Sequence, residues 1–173
     1  MKAAHLFLVT AGVLLLSALS ATAVTLIVDG ASAAPTDQFE LPISLALNVG
    51  DEVAAIQFDL LFDTDVFAID TVRIGAASET AGKTITVTPQ PDGTVRVLLI
   101  GFNQNTYNEG VIALPDVEVL ANAQTNLYMV TLANVLLSDP FGFPLGSQVN
   151  PGTIDIDAGE GEGEGEGEGE GEG

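Results

Sequence analysis

Apolar side chains recur at every second position through most of residues 24–157, and this period of two constrains the fold more than any other feature of the chain. The clearest example lies in residues 38–48, where the apolar members are Phe39, Leu41, Ile43, Leu45 and Leu47. Successive side chains of a strand point to opposite faces, so this pattern predicts strands with one buried face. In residues 55–62 we therefore expect Phe58 to point inward, and Gln57 and Asp59 to point outward.

The alternation predicts about nine strands and no amphipathic helix of useful length. The strands are expected at residues 24–29, 38–48, 55–62, 66–75, 84–88, 95–99, 111–120, 127–137 and 153–157. Turn-forming glycine, proline and asparagine residues separate them, at 48–51, 91–93 and 138–142. Strands with one apolar face bury that face against a second sheet. The predicted fold class is therefore all-β, a nine-stranded antiparallel β-sandwich.

The two ends of the chain differ from the region between them. Residues 1–23 combine a basic residue, an apolar run at 6–19 and small residues at the expected cleavage site, which predicts a secretory signal peptide. The run is shorter than the roughly 20 residues that a membrane-spanning helix needs, so we expect no span in the mature chain. Residues 159–173 alternate glycine with glutamate, and this predicts a disordered linker or tail that ends inside its own repeat. The expected folded domain is 24–158, in a protein that is secreted or, if a further C-terminal region follows the repeat, attached to the cell surface.

The composition excludes most catalytic chemistry. The chain has no cysteine, and its only histidine is His5, inside the predicted signal peptide. The domain therefore lacks a cysteine nucleophile, a histidine general base and the usual ligands of zinc or copper. Paired carboxylates remain, as in glycosidases, but nothing in the sequence sets one acid in an apolar pocket that would raise its pKa. The sequence predicts a protein that is not an enzyme.

The charge of the domain limits its partners. Residues 24–157 carry seventeen acidic and three basic side chains, a formal charge of −14. Such a surface repels phosphate groups, so nucleic acid and anionic membranes are not expected partners. A cationic surface or calcium is more compatible with it, although an acidic surface also serves solubility alone.

No cofactor is predicted, and calcium has only weak support in the sequence. Asp63 with Asp65, or Asp155 with Asp157, offers two carboxylates, whereas calcium takes roughly six to eight oxygen ligands. The twelve-residue calcium-binding loop is absent. An aspartate directly after a strand, as at Asp63, more commonly accepts backbone N–H groups of its own turn.

Several segments carry a resemblance to a known family. The stretch IQFDLLFDTDVFAIDTV, residues 56–72, is followed by GTVRVLLIGF at 93–102 and by strand and turn patterns at 130–135, 138–140 and 152–156. In this order they resemble the cohesin family of cellulosomal scaffold proteins and the related carbohydrate-binding sandwiches. Thr64 departs from the family pattern, because it stands where the turn after the third strand usually has a proline.

The resemblance implies a nine-stranded jelly-roll sandwich without catalysis, whose members hold calcium-loaded dockerin modules through one sheet face. The metal would then belong to the dockerin, in an extracellular assembly of the kind that degrades polysaccharides. By the same resemblance, the partner would lie on the outward face of the third and sixth strands and on the loop after the sixth. The residues expected there are Ala55, Gln57, Asp59, Leu61, Arg96, Leu98, Asn103, Asn105 and Tyr107.

Two other functions stay open from the sequence. A carbohydrate-binding module of the same fold would bind a polysaccharide on exposed aromatic rings, and the loop FNQNTYNEG at 102–110 offers Tyr107 and several amides. Against this, the chain has no tryptophan. A purely structural surface domain is the other alternative. For the predicted patch itself, the alternative is that the protein's own loops cover Leu61 and Leu98.

Overall fold

Two β-sheets pack face to face in the computed structural model, which describes residues 23–157. The strands are β1 (Val24–Val28), β2 (Ala31–Ala33), β3 (Gln38–Glu40), β4 (Ile43–Ala46), β5 (Ala55–Leu61), β6 (Phe67–Ile74), β7 (Thr84–Pro89), β8 (Val95–Ile100), β9 (Gly110–Val119), β10 (Asn126–Ser138), β11 (Pro144–Leu145), β12 (Ser147–Asn150) and β13 (Gly152–Ile156). One short helix, α1 (Ala76–Thr80), precedes β7. The predicted all-β sandwich is confirmed.

The strand order brings distant parts of the chain together. The first sheet has the order β12-β1-β4-β9-β3, and β6 also pairs with β9. The second sheet has the order β2-β13-β10-β5-β8-β7, and β11 pairs with the end of β10. The third and sixth predicted strands, β5 and β8, are therefore neighbours in the middle of the second sheet.

The described residues contain thirteen strand segments rather than the nine predicted, and the extra ones have local causes. Pro42 separates β3 from β4 within the predicted strand 38–48, since proline cannot donate a backbone hydrogen bond. Short segments at β2, β11 and β12 add edge pairings that the alternation did not reveal. Two of these edges, β1 with β12 and β2 with β13, are parallel, so the expectation of purely antiparallel pairing is wrong there.

These parallel edges come from two stretches of chain that change sheets. The β1–β2 stretch leaves the first sheet at Gly30, and the β12–β13 stretch leaves it just before Gly152. The backbones approach so closely here that a side chain at Gly152 would collide with the carbonyl oxygens of Val28 and Asp29. Glycine is the residue that permits such an approach.

The core lies between the two sheets and is apolar. The largest fully buried side chains are Phe58, Phe67, Leu26, Leu41, Ile43, Leu45, Ile56, Leu60, Leu99, Ile112, Ile154 and Ile156. Phe58 is 0% exposed, and its neighbour Gln57 is partly exposed on the other face, so the predicted register of β5 is confirmed. With no cysteine in the chain, this packing has to stabilise the domain without disulfide bonds.

The predicted signal peptide, 1–23, and the Gly-Glu tail, 159–173, lie outside the described residues except for Ala23. Both remain predictions. Across residues 23–157, no helix is long and apolar enough to cross a membrane.

Candidate functional site

The outward side of the second sheet collects most of the predicted site residues. We call this surface, formed by the outward side chains of β7, β8, β5 and β10, the outer face. The strand register places Gln57 beside Leu98, and Asp59 beside Arg96. Ala55 and Leu61 lie on the same side at the two ends of β5. Leu61 and Leu98 are partly exposed, so loops of the described part of the chain do not cover them fully.

An ion pair occupies the centre of the outer face. Arg96 donates from Nε to Oδ1 of Asp59 at 2.6 Å and from Nη2 to Oδ2 at 2.8 Å. Asn134 donates from Nδ2 to Oδ2 of the same carboxylate at 2.7 Å. Asp59 is only 4% exposed because these two side chains cover it, although it projects outward as predicted. The carboxylate therefore lies beneath the surface, while the Arg96 and Asn134 side chains lie closer to solvent.

The hydrogen bonds of this pair determine its protonation. The bond from Arg96 holds the pKa of Asp59 below its ordinary value, against the opposing effect of burial, and Asn134 adds to the lowering. The same pairing raises the pKa of Arg96. Both groups are therefore charged at neutral pH, and the pair is neutral as a unit.

A backbone irregularity brings the amide of Asn134 into this cluster. The pairing of β10 with β5 shifts register between Ala133 and Leu136, which marks a β-bulge. Asn134 lies in this bulge with a φ of 49°, in the left-handed region that asparagine tolerates better than most residues. The bulge also alters the alternation of faces along β10.

An apolar groove lies beside the ion pair, toward the end of the sheet where β10 leads into β11. It has a volume of about 320 Å³ and lies between β5, β8 and β10. Its outward walls include Gln57, Leu98, Leu136 and Pro144. Leu136 is 63% exposed, which is unusual for a leucine in the middle of a sheet.

Three exposed phenylalanines surround this end of the sheet. Phe141 and Phe143, in the loop after β10, are 75% and 67% exposed, and Phe102, in the loop after β8, is fully exposed. The two loops meet where Gln104 donates from Nε2 to the Pro140 carbonyl oxygen at 3.2 Å. Leu136, Phe141 and Phe143 are candidate site residues that the sequence reasoning missed. The apolar residues flanking Gly142 in an otherwise polar turn were the available signal.

The loop between β8 and β9 is fastened to the protein by its own amides. Asn103 donates to the Gly82 carbonyl oxygen at 2.8 Å and accepts from Nζ of Lys83 at 2.9 Å. Asn105 donates to the Ala81 carbonyl oxygen at 3.2 Å. Asn103 and Asn105 are exposed, as predicted, but these amide groups already have partners. These hydrogen bonds tie the loop to the turn between α1 and β7.

The expectation that Tyr107 lies at the exposed edge of the site is wrong. Its side chain is 2% exposed, and its hydroxyl donates to the Leu99 carbonyl oxygen at 3.2 Å. Burial raises the pKa of Tyr107 to about 12. Tyrosine has an apolar ring with one polar tip, and here the ring joins the core while the tip finds a backbone partner.

The acidic pairs considered for calcium have other roles. Asp63 accepts the backbone N–H of Asp65 at 3.0 Å, which confirms the turn-capping interpretation. Asp157 accepts from the hydroxyl of Ser32 at 3.2 Å. Within 23–157, no group of three or more acidic, histidine or cysteine side chains is arranged to hold a metal.

Comparison with known proteins gives one family match. The model of the Cohesin domain family matches residues 24–142, which is more than half of the chain. No functionally curated protein matches the chain in sequence.

Solved structures of cohesins are similar in fold. The sixth cohesin of scaffoldin B from Acetivibrio cellulolyticus, solved with a Cel5 dockerin variant, has a TM-score of 0.70 at 16% identity, covering 79% of this chain and 100% of that one. The OlpA cohesin of Clostridium thermocellum, also solved with a dockerin, gives the same four values. A non-cellulosomal cohesin from the archaeon Archaeoglobus fulgidus has a TM-score of 0.68 at 18% identity, covering 80% of this chain and 94% of that one.

At these sequence identities the structural similarity shows a shared fold. The family-model match shows, in addition, that the sequences are related. The chain belongs to the cohesin domain family and is a binding module rather than an enzyme.

Proposed function

We propose that this chain is an exported cohesin module that binds a dockerin-type protein module through the outer face of its second sheet. The observation that carries the proposal is the exposed groove beside Leu98 and Leu136, next to the hydrogen-bonding centre of Asp59 and Arg96. Two of the similar cohesins were solved in complex with dockerins, which supports the same class of partner for this chain.

The composition of the outer face suits a partner that binds and dissociates. Such interfaces combine an apolar centre with a limited number of hydrogen-bonding groups, and they are depleted in unpaired charge. Here Leu136 and Leu98 supply apolar area, Gln57 supplies an amide, and the one charged pair is internally neutralised. Exposed leucine and phenylalanine side chains add nothing to the stability of an isolated domain, so they favour a binding role over a purely structural one.

Binding of a polysaccharide has less support on this chain. Tyr107, the tyrosine of the candidate loop, is buried, and the amides of Asn103, Gln104 and Asn105 already hydrogen-bond within the protein. A sugar site needs such groups to be available together with a stacking ring. The exposed phenylalanine rings therefore fit apolar protein contacts better than sugar hydroxyl groups.

The setting of the module is part of the proposal. The predicted signal peptide supports export. The Gly-Glu repeat after the domain is suited to connect it to a further region or to the cell surface. An extracellular, polysaccharide-degrading assembly is the setting that the family relationship favours.

The test is calorimetry of residues 24–173 against a panel of calcium-loaded dockerin modules, including the Cel5 dockerin and the dockerins of OlpA-type complexes. We expect at least one dockerin to bind, and Leu136→Glu to abolish that binding by placing a charge in the groove. Met129→Glu is the matched control, because Met129 is also exposed on β10 but lies about 20 Å along the strand from the groove.

A parallel pull-down on insoluble and soluble polysaccharides tests the alternative. Retention on a polysaccharide without binding to any dockerin would overturn the proposed function in favour of a carbohydrate-binding module. Equal effects of Leu136→Glu and Met129→Glu on dockerin binding would show that the groove is not the contact surface.

A further inference from the structure

We propose that Arg96 determines partner specificity on the outer face by donating hydrogen bonds to an uncharged oxygen acceptor of the partner, such as a carboxamide or a main-chain carbonyl. This inference rests on the proposed function, and it goes further by stating which chemical group the partner must present opposite the centre of the face.

Arg96 is the exposed member of the ion pair. The Arg96 side chain is 40% exposed, while the Asp59 side chain that pairs with it is 5% exposed. The guanidinium uses Nε and Nη2 on the carboxylate, and its remaining N–H groups have no acceptor among the described residues. A partner that covers the face would remove water from these donors. The partner therefore has to supply an acceptor, because buried donors without one would reduce the binding free energy.

The guanidinium is fixed in place before a partner binds. The two-point contact with Asp59 restricts the rotation of Arg96, and Asn134 donates to Oδ2 of the same carboxylate, the oxygen that Nη2 of Arg96 also contacts. Asn134 does so from the bulge of β10, so three strands of the sheet contribute to one arrangement. A donor that is fixed before binding loses little side-chain entropy when the partner arrives, which makes its hydrogen bonds selective.

The charge around Arg96 also favours an uncharged acceptor. Asp59 neutralises Arg96, and residues 24–157 carry a formal charge of −14. Of the two other basic residues in that range, Lys83 is buried at α1–β7, and Arg73 pairs with Asp116 on the first sheet. A carboxylate of the partner would be repelled by the surrounding negative charge, and no unpaired cation of the face would offset that repulsion. An uncharged acceptor therefore fits better.

The position of Arg96 adds a geometric requirement. Leu98, which lines the groove, lies two residues further along β8 on the same side, about 7 Å away. The partner is therefore expected to present an apolar side chain and an oxygen acceptor with about this separation. This pairing distinguishes one dockerin from another, whereas apolar contact in the groove alone would not.

The test uses a dockerin that binds the parent chain of residues 24–173. Arg96→Lys keeps the positive charge but loses the forked donor geometry, and we expect its affinity to fall by about tenfold or more. Arg73→Lys, an arginine on the opposite sheet, is the control and should bind like the parent. Thermal unfolding and circular dichroism verify that each variant is folded. Binding of Arg96→Lys within about twofold of the parent would overturn the inference.

Two further measurements separate specificity from structure. If Arg96→Lys unfolds, the double variant Asp59→Leu with Arg96→Leu replaces the whole pair by apolar side chains and is expected to fold but to bind weakly. Parent-like binding by a folded double variant would also overturn the inference. The loss caused by the double variant, which removes the guanidinium, should be similar at about 0.05 M and about 0.5 M salt. A loss that shrinks severalfold at high salt would mean a charged acceptor, contrary to the inference.

The outcomes for the two proposals differ. If no dockerin binds the parent chain, the proposed function and the inference that rests on it both fail. If a dockerin binds the parent and the Arg96 variants equally well, only the inference fails.

Discussion

Asp59 and Arg96 lie opposite each other on β5 and β8, and their two hydrogen bonds of 2.6 and 2.8 Å join a covered carboxylate to an exposed guanidinium. The two partners of this pair are therefore not equivalent. Removing the arginine takes two hydrogen bonds from a carboxylate in the middle of the sheet, whereas removing the aspartate leaves a guanidinium that already faces solvent.

This asymmetry predicts the relative stability of two variants. Arg96→Ala should lower the thermal midpoint by several degrees, because it leaves the Asp59 carboxylate with Asn134 as its main remaining partner. Asp59→Ala should lower the midpoint less, since the freed guanidinium becomes hydrated. Differential scanning calorimetry at pH 7 compares the two, and the reverse order would contradict the burial pattern described for the pair.

Truncation of Phe58 probes the centre of the core. The side chain is fully buried between the sheets, so Phe58→Ala should reduce the free energy of unfolding by about 3–5 kcal/mol. Gln57→Ala, at the next position on the opposite face, should change it by less than about 0.5 kcal/mol. Urea denaturation measures both values. Similar losses for the two variants would mean that the register of β5 is wrong.

The burial of Tyr107 predicts that its phenol ionises only at strongly alkaline pH. Its folded-state pKa is raised to about 12, so burial of the neutral phenol contributes stability that is present below the unfolded pKa of about 10 and is lost as the pH rises through about 12. Ultraviolet absorbance should show one phenol titrating near pH 12, and Tyr107→Phe should remove that transition. If the transition that disappears in Tyr107→Phe lies near pH 10, the ordinary value for a phenol, the ring is not buried as described.

A substitution at Gly152 tests how closely the backbones approach where the chain passes from one sheet to the other. A methyl group at this position would collide with the Val28 and Asp29 carbonyl oxygens, so Gly152→Ala should cost more than about 2 kcal/mol of stability. Gly146→Ala is the matched control, because its added atom would find its nearest neighbour at 4.0 Å. Chemical denaturation of both variants checks the prediction, which would be wrong if the two were equally stable.

The sequence predicted those parts of the fold that depend on local alternation. Phe58 and Gln57 alternate regularly, so the two faces of β5 follow from the order of its residues. The face of Leu136 could not be assigned in this way, because the bulge at Asn134 breaks the alternation in β10 and no glycine or proline marks it. The parallel pairing of β1 with β12 joins segments more than 120 residues apart, and their sequences carry no signal of this contact.

The candidate site was predictable to a similar degree. Alternation placed Gln57, Asp59, Arg96 and Leu98 on one face, but the pairing of Asp59 with Arg96 depends on the register between two strands that are distant in the chain. Tyr107 was wrongly predicted to be exposed, because a tyrosine next to asparagines is compatible both with a hydrated surface loop and with a buried ring whose hydroxyl has one partner.

The two stretches that change sheets have a mechanical consequence. They lie side by side in the same direction, through β1 with β12 and then β2 with β13. Tension applied between residues 24 and 157 pulls the first stretch toward its start and the second toward its end. The hydrogen bonds of both pairings are then loaded in shear together rather than opened one after another, so the domain resists extension along the line that joins its two ends.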